Sequence, residues 1–298
     1  MATLPFNKDT TLGATFIGFA ASAVLFGVAC AQTWTYLGRY PQDKTFYKLL
    51  VSALWILECV HQVFIGHSTY YYTITNWGNA RALLQAPQWS LIVQVTLGAV
   101  VGGIVKICFA MRVWRFSQRN IPVTCCILLL IIAQLGKYTG SLGFNNQFTR
   151  SSSRPRQIPV VSCFYTVQGF GVASLTQVDE LKLIGTLSLG LGVATDVLTA
   201  GALCFFLRGL RTGYSKDDSL INRLTLYAIN TGILTSAVSL ATLVLYDTMP
   251  TNFIFMGFYF VLSKLYLNSF LATHDAHEDI EMQNPSGVRS MRSMVSFE

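Results

Sequence analysis

The chain has 298 residues, of which 52% are hydrophobic and only 12% charged, with a mean hydropathy of +0.47. Soluble domains carry about 25% charged residues, so the composition excludes an ordinary water-soluble globule and points to an integral membrane protein. The net charge of +7 is distributed among loops between long apolar blocks and is not a nucleic-acid footprint.

Apolar blocks cover 12–37, 49–73, 89–113, 121–142, 181–207, 224–246 and 253–273. Each holds about 20 residues or more, enough to cross a hydrocarbon core of about 30 Å. The alternating pattern of barrel strands is absent, and helices satisfy their own backbone hydrogen bonds in lipid. The sequence therefore predicts an all-α, seven-helix transmembrane bundle over 1–273, followed by a polar, disordered tail over 274–298.

In the first block, Ala29-Cys30-Ala31 is a small-x-small pattern that signal peptidase accepts. However, Asp9 cancels Lys8 ahead of it, and the apolar run is too long for a signal core, so it reads as an uncleaved span. The second block contains "LWILECVHQVFIGHSTYYY", where Glu58, His61 and Gln62 interrupt apolar sequence at helical spacing. In the third, Gln94, Gly98, Gly102 and Lys106 recur every four residues, with the two glycines forming a small-xxx-small motif. Cys125 and Cys126 open the fourth block and are either packing residues or palmitoylation sites.

A long loop over 143–180 follows. Its "RSSSRPRQIP" stretch reads as exposed and irregular. The subsequent "VVSCFYTVQGFGVAS" is apolar enough to dip into the interface but too short for a span. An eighth span there would invert all the basic loops after it. Ser188, Gly192, Asp196 and Thr199 form a polar stripe on the fifth block. Thr231, Thr235 and Ser239 do so on the sixth, and Gly257, Lys264 and Asn268 on the seventh. These stripes predict one shared interior.

Lys and Arg near the span ends set the orientation. One side receives Arg39, Lys44, Lys48, Arg112, Arg115, Arg119, Arg208, Arg211, Lys216, Arg223, Arg289 and Arg292. The other receives about half as many, mostly Arg150, Arg154 and Arg156 in the one long loop, where the rule counts least, and Lys182 just after it. The amino terminus is thus expected outside and the carboxyl terminus in the cytosol. Tyr70, Tyr71, Tyr72, Trp77 and Trp89 are expected at the outer interface, and Trp34, Tyr36, Tyr40 and Trp114 at the inner one. Cys163 alone lies in an outer loop, so no disulfide framework is predicted; no Asn-x-Ser/Thr sequon occurs.

A charge at the bilayer centre costs about 2.5–3.5 kcal/mol or more, so such groups face the bundle interior and find partners. Counted from the cytosolic ends, Lys106 lies about 9 Å deep, Glu58 and Lys264 about 14 Å and Asp196 about 17 Å. Two acids and two bases at similar depth predict ion pairing without fixing which acid meets which base. The network is either structural or a polar pocket that binds a ligand or moves a proton. Glu58 alone has an adjacent titratable imidazole, which makes it the functional candidate and Asp196 the structural one. Lys264 lies at a depth suited to a retinal Schiff base, but the third block carries no carboxylate counter-ion. Cys59 points away from His61, so no metal site is predicted, and His274 and His277 read as solvated. No phosphate-binding, dinucleotide or nucleophile-elbow motif appears, and no cofactor is predicted.

The stretch "GLRTGYSKDDSLINRLTLYAINTGILTSAVSLATLV" (209–244), with "FYFVLSKLYLNSFLAT" (258–273), resembles a family of uncharacterised seven-span proteins of mushroom-type fungi, catalogued as a domain of unknown function. "AQTWTYLGRYPQDK", "LWILECVHQV" and "HSTYYYTITNWGN" extend the likeness over most of the chain. The family's second-span acid is usually Asp, where this chain has Glu58, and its usual Leu-Asn-x-Arg after the last span is replaced by "THDAHED". The resemblance implies seven spans and a fungal source, and brings no activity.

The expected function is that of a receptor-like or sensor protein in the plasma membrane or an endomembrane. The expected partners are the lipid bilayer, a small-molecule ligand in the interior and a cytosolic partner at the basic loops and tail; nucleic acid is not among them. The alternatives are a small-molecule transporter or a terpene-cyclase-like membrane enzyme using two intramembrane carboxylates.

Overall fold

A computed structural model of the protein describes residues 9–41, 43–79, 88–117, 120–144, 175–209, 215–249 and 252–283. The basic loop stretch, Cys163, the apolar segment after it, Arg81, Arg119, Arg211 and the serines near the carboxyl end lie outside these residues.

Among the described residues there are seven α-helices and no strand: α1 (Ala14–Arg39), α2 (Thr45–Tyr70), α3 (Trp89–Phe116), α4 (Ile121–Phe144), α5 (Leu175–Gly209), α6 (Ser215–Thr248) and α7 (Ile254–Gln283). Single π-helical turns precede α1 at Asp9–Gly13 and follow α2 at Tyr71–Thr75. Six helices are long and apolar enough to cross a membrane. In α4 the described apolar part is Ile121–Gln134. The outward faces are apolar, with Ile17, Val63, Phe205 and Ile233 all more than half exposed. Such faces suit lipid and would be costly in water.

Each helix packs on the next in chain order, and α7 returns to α1 to close a ring. α3 reaches across the interior to both α5 and α7. Two apolar clusters hold the ring. One joins α1, α2, α3 and α7 around Tyr36, Leu54, Val105, Leu267 and Phe270. The other joins α3, α4 and α5 around Val113, Ile127, Ile131, Leu203 and Leu207.

α1 and α7 cross closely. A Cβ added to Gly18 would fall 2.3 Å from the Cα of Gly257, so only glycine permits this approach. Thr10 Oγ1 donates to Asn252 Oδ1 at 3.2 Å at one end of the contact. Asn268 Nδ2 donates to the Leu25 carbonyl at 3.1 Å further along it. By contrast, the glycines of α3 receive side chains: Gly98 faces His61 and Tyr259, and Gly102 faces the Tyr266 ring at 3.4 Å.

Two placements differ from the sequence expectation. Tyr36 and Tyr40, expected at the inner interface, are core residues at 0% and 5% exposure, whereas Trp34 at 82% meets the surroundings. Tyr36 turns inward because its hydroxyl bonds Asp43 in the connection to α2. His274, expected in a solvated tail, is buried, because α7 runs on to Gln283 and carries it into an aromatic cage. Its ring packs edge-on against Tyr36 at 5.2 Å and Tyr47 at 5.0 Å.

Candidate functional site

α7 places Lys264 and Tyr266 two residues apart, about 200° around the helix. They therefore face opposite sides, and each anchors a separate polar cluster.

The first cluster lies between α2 and α7. Lys264, Glu58 and His61 are all fully buried. The Lys264 ammonium donates to Glu58 Oε2 and also to His61 Nδ1 at 3.0 Å, and lies 5.8 Å from the Phe26 ring centroid. The same His61 Nδ1 also lies 3.4 Å from Glu58 Oε2. Ser263 Oγ lies 3.0 Å from the same Nδ1. Glu58 and His61 are one turn apart on α2, which brings both to one ammonium.

The second cluster lies between α3, α5, α6 and α7. Lys106 Nζ pairs with Asp196 Oδ1 at 3.1 Å and donates to the Gly192 carbonyl and to Gln134 Oε1, each at 3.2 Å. Asp196 Oδ2 accepts from Tyr266 at 2.6 Å and from Ser239 at 2.9 Å. This carboxylate therefore holds three helices through one side chain, and a buried charge is tolerable only with such partners.

The structure keeps Gln62 and Asn268 out of both clusters. Gln62 Oε1 accepts from Ser22 of α1 at 3.3 Å, and Asn268 bonds the α1 backbone. Gln62 follows His61 directly, so it points about 100° away, toward α1. Tyr266, Ser239, Ser263 and Gln134 were not read as site residues from the sequence. Ser239 was legible as part of the α6 stripe; Tyr266 was not, because α7 is buried on both sides.

A cavity of about 770 Å³ leads from the basic helix ends to the second cluster. Arg39, Lys44, Arg112 and Arg115 stand around its mouth and walls, and Lys106, Asp196 and Tyr266 form its floor. Ligand sites are typically concavities of about 300–1,000 Å³ with a few placed polar groups in apolar walls. A second cavity of about 40 Å³ lies behind that floor, lined by Ser263, Gln134, Tyr259 and the same Lys106 and Tyr266. It has room for a water molecule and several polar atoms to hold one.

A family model described as "Family of unknown function (DUF6534)" matches residues 192–277. The match takes in Asp196, Ser239, Lys264 and Tyr266, one member of each ion pair. No curated protein and no solved structure matches the chain. The molecule is thus a multi-pass, membrane-like helical protein similar, over that segment, to a family with no described activity.

Proposed function

We propose that the chain is a seven-span, receptor-like sensor whose small-molecule ligand occupies the cavity of about 770 Å³ and touches the Lys106–Asp196–Tyr266 cluster. α4 serves as the remaining span; its 24 residues would reach about 36 Å. The gathering of Arg39, Lys44, Arg112 and Arg115 at one end supports an inside-positive orientation, with the cavity open to the cytosol or the inner leaflet.

The observation that carries the reading is that the cavity ends on a carboxylate shared by α5, α6 and α7 and paired to α3. A ligand that competes for Asp196 or Lys106 changes what holds four helices together, and this differential contact is what a conformational signal requires. The enzyme alternative needs both carboxylates at one reacting centre. Here Glu58 is sealed against Lys264 and is not in the cavity wall, which counts against it. The transporter alternative draws on the water-sized cavity behind the Lys106–Tyr266 floor, which extends the path as far as Ser263.

The test is a thermal-stability screen of purified protein against a small-molecule panel, comparing wild type with Thr231→Trp, where an indole would fill the cavity from α6. Ligands that stabilise wild type and not the variant support the reading; equal responses from two folded proteins remove it. Solute flux in liposomes then separates a transporter from a sensor.

A further inference from the structure

Resting on that reading of the cavity, we infer that its ligand is an anionic amphiphile, a phosphate- or carboxylate-headed molecule with an apolar tail, and that the Arg112 guanidinium receives the head group.

Among the described residues lining the cavity, basic side chains outnumber carboxylates. Its two described carboxylates are already engaged: Asp196 by Lys106, Tyr266 and Ser239, and Asp43 by Tyr36 and the Lys44 backbone. Arg112 has no carboxylate within ion-pair distance among the described residues. It is half-buried between two aromatic rings, its guanidinium carbon 5.6 Å from the Phe109 centroid and 5.5 Å from that of Phe270. The rings hold the guanidinium plane in place without neutralising it. Arg115 and Lys44 add two exposed cations beside it.

A guanidinium partly withdrawn from water beside no carboxylate is favoured by an anion that fits it. A planar guanidinium matches the two oxygens of a carboxylate or phosphate, which a point charge does not. The remaining wall is mostly apolar, with Phe46, Phe116, Leu203 and Leu207 among its residues and a few threonine and serine hydroxyls between them. An inorganic ion would leave that wall facing water. A head group with a hydrocarbon tail covers both surfaces at once. Such a molecule comes either from the inner leaflet as an anionic lipid or from the cytosol as a soluble metabolite.

The experiment measures binding of dodecyl phosphate to the full-length purified protein by calorimetry, with dodecanol and inorganic phosphate as comparison probes. The expected order is dodecyl phosphate tightest and dodecanol weaker by about tenfold, the equivalent of one charge-assisted bond. Arg112→Gln should lose that preference, and Arg112→Lys should keep part of it because charge remains and the fork is lost. If Arg112→Gln does not fold, Arg112→Lys and the head-group comparison on wild type still decide. Nanodiscs of phosphatidic acid that block dodecyl phosphate, where phosphatidylcholine discs do not, assign the lipid source; binding unaffected by either assigns the soluble one. Equal binding of dodecanol and dodecyl phosphate overturns the anion inference and leaves the cavity reading standing. No binding of any probe overturns both.

Discussion

Replacing Glu58 by Gln leaves the Lys264 ammonium fully buried with two neutral acceptors, the new amide oxygen and His61 Nδ1. Neither of the two described cavities is lined by Lys264 or Glu58, so water does not reach the ammonium through them. Breaking a buried pair by removing one partner costs about 3–5 kcal/mol, whereas replacing both partners with neutral groups is often close to neutral. Glu58→Gln and Lys264→Met should therefore each lower the unfolding free energy by an amount in that range. The double variant should recover most of one loss, giving a coupling energy of about 2 kcal/mol or more. Reversible unfolding in mixed micelles, followed by circular dichroism, measures all four corners of the cycle. Single losses below about 1 kcal/mol with additive behaviour would show that the two groups do not form a desolvated pair.

Tyr266→Phe removes the 2.6 Å bond to Asp196 and keeps the ring on Gly102, so it should cost about 1.5–3 kcal/mol in the same assay; an unchanged midpoint contradicts the cluster. Gly18→Ala forces α1 away from the α7 backbone, and its cost should be about 1–3 kcal/mol, whereas Gly27→Ala, with nothing within 4 Å, should be silent. If the two alanine variants are equally stable, the helices do not cross there. For topology, a reporter after Glu298 should read as cytosolic and a tag within residues 151–153 should be reached by antibody on intact cells; a protected loop tag rules out the proposed orientation.

Much of the architecture is legible in the sequence, because a hydrocarbon environment forces long apolar blocks into helices. The four ionisable residues stand out for the same reason: lipid makes each charge expensive, so each is conspicuous. Their pairing was not legible. Glu58 and Lys264 meet through a contact between the second and seventh helices, and nothing in either helix encodes which neighbour it faces. Periodicity also assumes one buried stripe per helix. α7 is buried on opposite sides, so Tyr266 went unread and Asn268 was grouped with Lys264 although it bonds α1. Arg112 read as an ordinary basic loop end; only the packing of Phe109 and Phe270 on it shows a cation held inside a cavity.

The two ion pairs differ in surroundings more than in chemistry, and on the reading proposed above the functional role falls to Asp196 rather than to Glu58. Glu58 has the adjacent imidazole, yet both lie with Lys264 between two helices and neither lines a described cavity. A pair that lines neither described cavity is suited to a fixed contact that selects one packing of α2 against α7, the best-attested use of a buried pair. Asp196 has no imidazole, yet it lies on the floor of a cavity and carries bonds from three helices. Perturbing it from the cavity side requires no unfolding, only a competing partner for Lys106 or the carboxylate. Asp196→Asn should accordingly cost less stability than Glu58→Gln while abolishing any ligand response. The opposite outcome, a silent Asp196→Asn beside a folded Glu58→Gln that loses the response, would return the functional role to the sealed pair and require a route to it that opens only in another conformation.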